Sequence, residues 1–353
     1  MVKKYLFAIE SSCDETAISL VDMDGSIVKE IISSQSEIHK QYGGVIPEIA
    51  SRNHVVDIQV MAQDMLNDID RKSIAVIVVT AGPGLIGSVL VGLMFGKGLA
   101  HGLDIPLIAV NHLEGHILSP RIANGSISRD IMPFPFLSLL ISGGHCQLVG
   151  CYGLGDYEIF GESVDDAVGE AFDKTARLLG LGYPGGVEIQ QKARFGNRSR
   201  FVLPIAFRND EGCNMSFSGL KTAVLRYVEL ERQISGELDE RFICDMSASL
   251  QYTITETLKR KIEKAMKIFS KKSEISQRRF AICGGVAANT EIRSMIELSC
   301  KQNEFSMHMP EIKYCTDNAT MIAAVGMEYY QKGIYSSLDF IPRSQWKLSD
   351  LSK

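Results

Sequence analysis

Two stretches about 130 residues apart repeat one pattern, and that repetition restricts the fold more than any other feature of the chain. YLFAIESSCDETAISLVDMDG runs as an apolar strand, a turn of small and polar residues, and a second strand ending at Asp24-Gly25. FLSLLISGGHCQLVGCYG repeats it, with Ser142-Gly143-Gly144 where the first copy has Ser11-Ser12-Cys13-Asp14. Apolar runs bounded by such turn residues read as hairpins. A supersecondary unit repeated at this distance predicts a duplicated, two-lobed fold with a ligand in the cleft between the lobes. The length of 353 residues suits two domains. The polar stretch SPRIANGSISRD marks a boundary, so the expected division is a lobe over 1–130, a second over 131–316, and a segment over 317–345 that returns towards the first lobe.

In VNHLEGHILSP, His112 and His116 stand four residues apart. On a helix that spacing stacks both imidazoles on one face, within reach of a single metal ion. Glu114 lies two residues along, a rotation of roughly 200°, and so faces away from the ion. A zinc protease instead places its glutamate beside the first histidine. Taken alone, the pair also reads as two half-buried histidines satisfied by backbone carbonyls. YCTDNATMIAAVGMEYY puts Asp317 and Asn318 at a helix start, where a carboxylate either caps the helix or completes a metal site.

Three glycine-rich passages lead from strands into helices or turns: TAGPGLIGSVLVG, LISGGH and CGGVAANTEIR. Such passages aim free backbone N–H groups at an anion, although glycine also serves simple close packing. Helical spacing runs from Val55 to Ile69, from Ala167 to Leu179, from about Gly219, over 239 to 271, and from Ala288 or Asn289. Residues 74–96 carry no charge, but Pro83 between two glycines breaks them into strand, loop and helix, which argues against a membrane span. The acid run Glu162, Asp165, Asp166 and Glu170 reads by default as a solvated face.

The net charge of −5 argues against indiscriminate nucleic-acid binding. The best basic face is Arg260, Lys264, Lys267 and Lys271, with Lys272, Arg278 and Arg279 beyond, and any direct RNA contact is expected there. Eight scattered cysteines without a CxxC pair, and no visible export signal, predict a reduced, cytoplasmic protein.

In order along the chain, IESSCDET, YGGVIPEIASRNH, TAGPGLIGSVLVG, NHLEGHILSP, ISGGHCQL, GESVDDAVGEAFDKTARLLGLGYPGG, MSFSGLKT, CGGVAAN and YCTDNATMIA resemble the motifs of the tRNA threonylcarbamoyladenosine transferase family, TsaD, formerly called O-sialoglycoprotein endopeptidases. The resemblance covers Leu6 to about Tyr330. It implies an α/β fold of two lobes with duplicated mixed sheets flanked by helices, as in actin, heat-shock chaperones and sugar kinases. The implied activity is transfer of threonylcarbamoyl from threonylcarbamoyl-AMP to the exocyclic amine of the adenosine beside the anticodon in tRNAs reading ANN codons, with release of AMP. Carried over by motif, the metal ligands are His112, His116 and Asp317, for one divalent ion that is usually iron, with zinc as the alternative. The substrate loop is Leu140, Ile141, Ser142, Gly143 and Gly144, joined by Asp173, Gly186 and Asn289, while Asp14 and Glu15 form an acidic tip beside the reacting carbonyl. The implied partners are tRNA, a related protein forming a heterodimer, a small ATPase and a separate synthase of the adenylate. Cys146, Val187 and Ala319-Thr320 depart from the usual pattern without removing a ligand.

Three other readings compete. An ATPase or phosphotransferase of the same fold would have no need of the histidines. A metalloprotease requires a base that Glu114 is misplaced to supply, and a non-catalytic nucleotide-binding protein would bind adenylate without modifying tRNA.

Overall fold

The computed structural model describes residues 4–67, 69–272 and 277–351, which form two compact units. The first comprises Met1–Phe134, Gly153–Tyr157 and Met309–Lys353, and the second Pro135–Tyr152 and Glu158–His308. Residues 317–345, expected to return towards the first lobe, belong to the first unit, whereas the second stops at His308 rather than 316.

In the first unit, β1 (Tyr5–Glu10), β2 (Glu15–Asp22), β3 (Ile27–Ser34), β4 (Ile74–Gly82) and β5 (Leu107–Asn111) form one sheet in the order β3-β2-β1-β4-β5. β1, β2 and β3 make an antiparallel meander, and β4 and β5 add in parallel to β1. β4 is IAVIVVTAG, buried at every position, as expected of a strand covered on both faces. Its side chains alternate. Ile77 and Val79 join Phe7, Ile9, Ile18 and Leu20 in a core with the helices Pro47–Asn67 and Ile86–Leu103, whereas Val78 faces the helix Ala319–Gln331 at Gly326.

Ile86–Leu103 is the one helix among the described residues long and apolar enough to cross a membrane. It lies against this sheet: a Cβ on Gly96 would stand 3.3 Å from Val79, and Val89, Leu93 and Ala100 are buried. The helix over 55–69 in fact begins at Pro47. A small hairpin, β6 (Ile122–Ala123) with β7 (Ser126–Ile127), closes this part of the chain.

The second unit repeats the plan with β8 (Phe136–Ile141), β9 (Cys146–Gly153), β10 (Asp156–Glu162), β11 (Arg279–Cys283) and β12 (Ser306–His308), in the order β10-β9-β8-β11-β12. β9 is antiparallel to β8, and β11 and β12 are parallel additions. The duplicated hairpin is therefore a duplicated five-stranded sheet. The long helix Glu240–Lys272 presents a buried face including Phe242, Leu250, Ile254, Leu258, Ile262 and Phe269.

Candidate metal centre

The parallel strands of the first sheet end together, and that edge builds the site. The pairing of Ile9 with Val79 sets Glu10 next to Thr80, and the pairing of Gly82 with Asn111 brings the following helix, His112–Leu118, to the same edge. Asn111 caps that helix, its Oδ1 accepting from the Leu113 and Glu114 amides at 2.9 and 3.4 Å. Its Nδ2 donates to the Trp346 carbonyl at 3.0 Å. The cap thereby fixes His112 as the first helical residue.

The two imidazoles meet edge to face with centroids 4.7 Å apart. Nε2 of His116 lies 3.0 Å from Asp317 Oδ1, and Nε2 of His112 lies 3.5 Å from the same oxygen. One ligand atom from each of the three residues falls within 4.8 Å of the others. Asp317 does not cap the helix that follows it. Asn318 takes the cap, its Oδ1 accepting from the Met321 amide at 2.8 Å, and this leaves the Asp317 carboxylate to the histidines.

Behind His112 stands Glu10, fully buried, with Oε2 3.0 Å from His112 Nδ1. The same carboxylate accepts from the Ser12 amide and from Thr80 Oγ1, each at 2.5 Å. Burial works to raise the Glu10 pKa, but the His112 charge and hydrogen bond outweigh it and the group is held below its ordinary value. Burial likewise disfavours a charged His112, yet the Glu10 and Asp317 carboxylates push it up to about 9. Because ionised Glu10 only accepts, the Nδ1 proton of His112 points at it, and Nε2 is the nitrogen turned to Asp317. Without an ion the charged His112 turns an Nε2 proton to the Asp317 carboxylate at 3.5 Å, and a divalent cation bound there would take the place of that proton. Two imidazoles and a carboxylate, with a carboxylate behind the first histidine, are donors suited to a divalent metal with open positions.

The acidic tip lies in the same field. Burial, then the charges of Asp317 and Asp14, pushes the Glu15 carboxyl up to about 9. His54 pins this tip: one ring nitrogen bonds Thr16 Oγ1 at 2.7 Å, and the other bonds the Cys13 carbonyl at 2.9 Å. Glu114 is committed elsewhere, accepting from Tyr157 at 2.8 Å, the Gly155 amide at 3.1 Å and Tyr329 at 3.1 Å.

The remaining candidates gather in the second unit. Leu140 and Ile141 end β8 in the core. The turn after them is closed by the Ser142 amide donating to the His145 carbonyl at 2.8 Å, with open space where side chains on Gly143 and Gly144 would stand. Gly169 presses on this turn, since a Cβ there would lie 2.7 Å from Gly143 Cα. Gly284, at φ +89°, would collide with the Ile141 carbonyl at 2.4 Å. Asp173 accepts from the Gly185 amide at 2.7 Å, fixing the turn that carries Gly186. Asn289 caps the helix Thr290–Gln302 and donates to Gln251 Oε1 at 3.0 Å. The glycine loops after β8 and β11 thus adjoin, while the side chains of Asp173 and Asn289 are engaged in holding backbone. Asp165 is exposed, as expected of a solvated face, and also accepts from Ser216 Oγ, Ser218 Oγ and the Phe217 and Ser218 amides at 2.5 to 3.2 Å.

The sequence pattern of the family described as "TsaD: tRNA N6-adenosine threonylcarbamoyltransferase" matches residues 26–324. A relative of that name from Rickettsia canadensis (strain McKiel) is 42% identical over 349 residues, covering 98% of this chain and 99% of its own. The chain belongs to this family. Another threonylcarbamoyltransferase, from Rickettsia bellii (strain OSU 85-389), is 43% identical over 350 residues, 99% of this chain and 100% of its own. Among solved structures, HypF from T. kodakarensis aligns over 100% of this chain and 50% of HypF, with TM-score 0.60 and 14% identity. Full-length HypF in its phosphate- and nucleotide-bound form aligns over 95% and 48%, with TM-score 0.58 and 12% identity. These two likenesses speak for the fold alone, a duplicated α/β architecture. Within the threonylcarbamoyltransferase motif IESS, sequence reading passed over Glu10, although a carboxylate ending a buried apolar strand is itself a signal.

Proposed function

We propose that the protein transfers the threonylcarbamoyl group from threonylcarbamoyl-AMP to the exocyclic amine of the adenosine at position 37, beside the anticodon, in tRNAs reading ANN codons, releasing AMP. The observation that carries this reading, in a chain of this family, is the convergence of His112, His116 and Asp317 within 4.8 Å. These residues would hold one divalent ion, iron or zinc, and the ion would polarise the carbamoyl group.

The chain's own residues account for the remaining tasks. An aryl amine is a weak nucleophile and must lose a proton as it attacks the mixed anhydride. Asp14 is the candidate acceptor, beside a Glu15 that burial and neighbouring acids keep protonated near neutral pH. In the loop of Leu140, Ile141, Ser142, Gly143 and Gly144, the backbone N–H groups of Gly143 and Gly144 are suited to the adenylate phosphate, where no side chain obstructs approach, while the Ser142 amide closes the turn. Gly186, on the turn fixed by Asp173, and Asn289 complete the nucleotide contacts in this reading.

Partners suited to this activity are tRNA, a related protein as heterodimer partner, and a small ATPase. None of the eight cysteines is in a disulfide, in keeping with a cytoplasmic setting. Purified protein with its partners is expected to convert adenosine in unmodified ANN-reading tRNA, read by mass spectrometry of the nucleosides. His112→Ala and Asp317→Ala are expected to abolish conversion and lower bound metal in elemental analysis. Full activity in both variants with metal content unchanged refutes the site.

A further inference from the structure

The basic face anticipated on the long helix is partly engaged within the fold, with Lys267 and Lys271 left exposed. Lys264 Nζ donates to the Asp210 carbonyl at 3.0 Å, Lys272 pairs with Glu158, and Arg278 pairs with Glu304 at 3.2 Å. A different segment has the stronger character. Residues 189–209 hold five cations, Lys192, Arg194, Arg198, Arg200 and Arg208, with Phe195, Phe201 and Phe207 among them and no aspartate or glutamate, in a chain of net charge −5.

The structure gives this segment a rigid seat. Asp245, Ser249 and Tyr252 share one face of the long helix at i, i+4 and i+7 spacing, and each meets it. Asp245 accepts from the Asn197 amide at 2.6 Å and from Arg200 at 2.9 Å, and Ser249 Oγ accepts from the Phe201 amide at 3.3 Å. The Arg198 guanidinium lies 4.9 Å from the Tyr252 ring centroid. Gly196 is held so close that a Cβ would stand 2.0 Å from the Cys244 carbonyl. On this pinned backbone Phe195 is 83% exposed, between the exposed cations Arg194 and Arg198. Lys192 and Arg200 are neutralised by Glu240 and Asp245, whereas neither Arg194 nor Arg198 has a carboxylate among its described contacts.

We propose that Arg194, Phe195 and Arg198 form an RNA-docking platform that takes an unpaired nucleotide of the tRNA substrate, with the base on the Phe195 ring and phosphates on the two guanidinium groups. An unpaired base has an apolar face for an aromatic ring and a charged backbone for arginine, and RNA loops are read in this way. A purely apolar partner would leave the two guanidinium groups without counter-charge. A rigid seat lowers the entropic cost of docking. This platform rests on the tRNA-modifying reading given above, and adds where the RNA is gripped.

The test is binding of an unmodified ANN-reading tRNA to the full chain by fluorescence anisotropy at several salt concentrations, with KM for tRNA measured in parallel in the complete reaction. Phe195→Ala is expected to weaken binding about 5- to 100-fold, and Phe195→Trp to restore it. Arg194→Ala and Arg198→Ala are each expected to lower the salt slope by about one. Thermal unfolding of Phe195→Ala and Arg194→Ala should not change, because both side chains are exposed. Wild-type tRNA affinity, salt slope and KM in these variants would overturn the platform while leaving the proposed reaction standing. Loss of assembly with a protein partner at unchanged tRNA affinity would reassign the surface to protein. A wild-type protein that neither binds nor modifies tRNA would overturn both readings.

Discussion

Replacing Glu10 by glutamine tests whether the carboxylate behind His112 tunes the metal centre or merely fills the core. In the wild type three donors converge on one carboxylate: the Ser12 amide on Oε1, and Thr80 Oγ1 and His112 Nδ1 on Oε2. A glutamine offers one oxygen and one NH2, so its amide must confront either the Ser12 N–H or the Thr80 and His112 side. With the NH2 toward Ser12, donor meets donor, and a buried mismatch of this kind costs about 1–3 kcal/mol of stability; with it toward Thr80 and His112, the hydroxyl can turn to accept but Nδ1 must give up its proton. If oxygen is kept toward His112, a charge-assisted bond becomes a neutral one of roughly half the strength, a loss of about 1 kcal/mol. With the lower basicity of the imidazole added, metal affinity should fall about 10- to 100-fold. The assay is competition with a chelator of known strength, using Fe(II) under anaerobic conditions and Zn(II) in parallel, on protein whose fold is verified by circular dichroism. Melting of the metal-free variant reports the stability loss separately. A folded Glu10→Gln protein that binds both ions as tightly as wild type would refute the argument, even if its melting temperature has dropped.

Two further perturbations probe the scaffold. Burial works to raise the Asp165 pKa, but donors from Ser216, Ser218 and Phe217 outweigh it and hold the group at about 2. A depressed carboxylate stabilises fully above its unfolded value, near 3.9, and that contribution is lost as pH falls toward the folded value. Asp165→Asn should therefore cost about 1 kcal/mol at pH 7, a modest figure because the group is solvent-exposed. In urea unfolding its gap from wild type should close between about pH 4 and pH 2, and a gap independent of pH would discard the assignment. Gly326→Ala would place a Cβ 2.4 Å from Val78 Cγ1, within a fully buried contact between helix and sheet. Overpacking of that degree should cost about 1–3 kcal/mol, part of which Val78→Ala recovers in calorimetry; additive losses in the double variant would contradict this packing.

What the sequence could disclose depended on how local each cause is. β4 is visible in its own letters, because a run of β-branched residues is what a strand buried on both faces requires. β3, IVKEIISS, escaped notice. Its pattern mixes exposed and half-buried residues, as an edge strand does, and only pairing with β2 makes it a strand. The histidine spacing was legible as a ligand pair, but the third donor was not decidable locally. Asp317 and Asn318 are equally good helix caps in isolation, and the carboxylate is released for the imidazoles because Asn318 takes the role. Glu10 is less legible still, since its contact with His112 spans 102 residues and depends on two parallel registers.

The duplication shows how one scaffold can serve opposite chemistries. Glu10 and Ile141 occupy the same place, the last residue of the first strand in each copy, paired with Ala17 and with Cys146. After Glu10 the chain makes a longer acidic turn beneath imidazoles from the helix after β5. After Ile141 it makes a short glycine turn, against which Gly169 and Gly284 approach too closely to tolerate a side chain. The first edge concentrates carboxylates and ring nitrogens, and such a site gains by admitting a cation. The second strips side chains from the backbone, and such a site gains by admitting a phosphate to its N–H groups. Within each unit, then, it is the turn after the first strand and the residues packed on it, rather than the sheet, that decide which kind of ligand the edge suits.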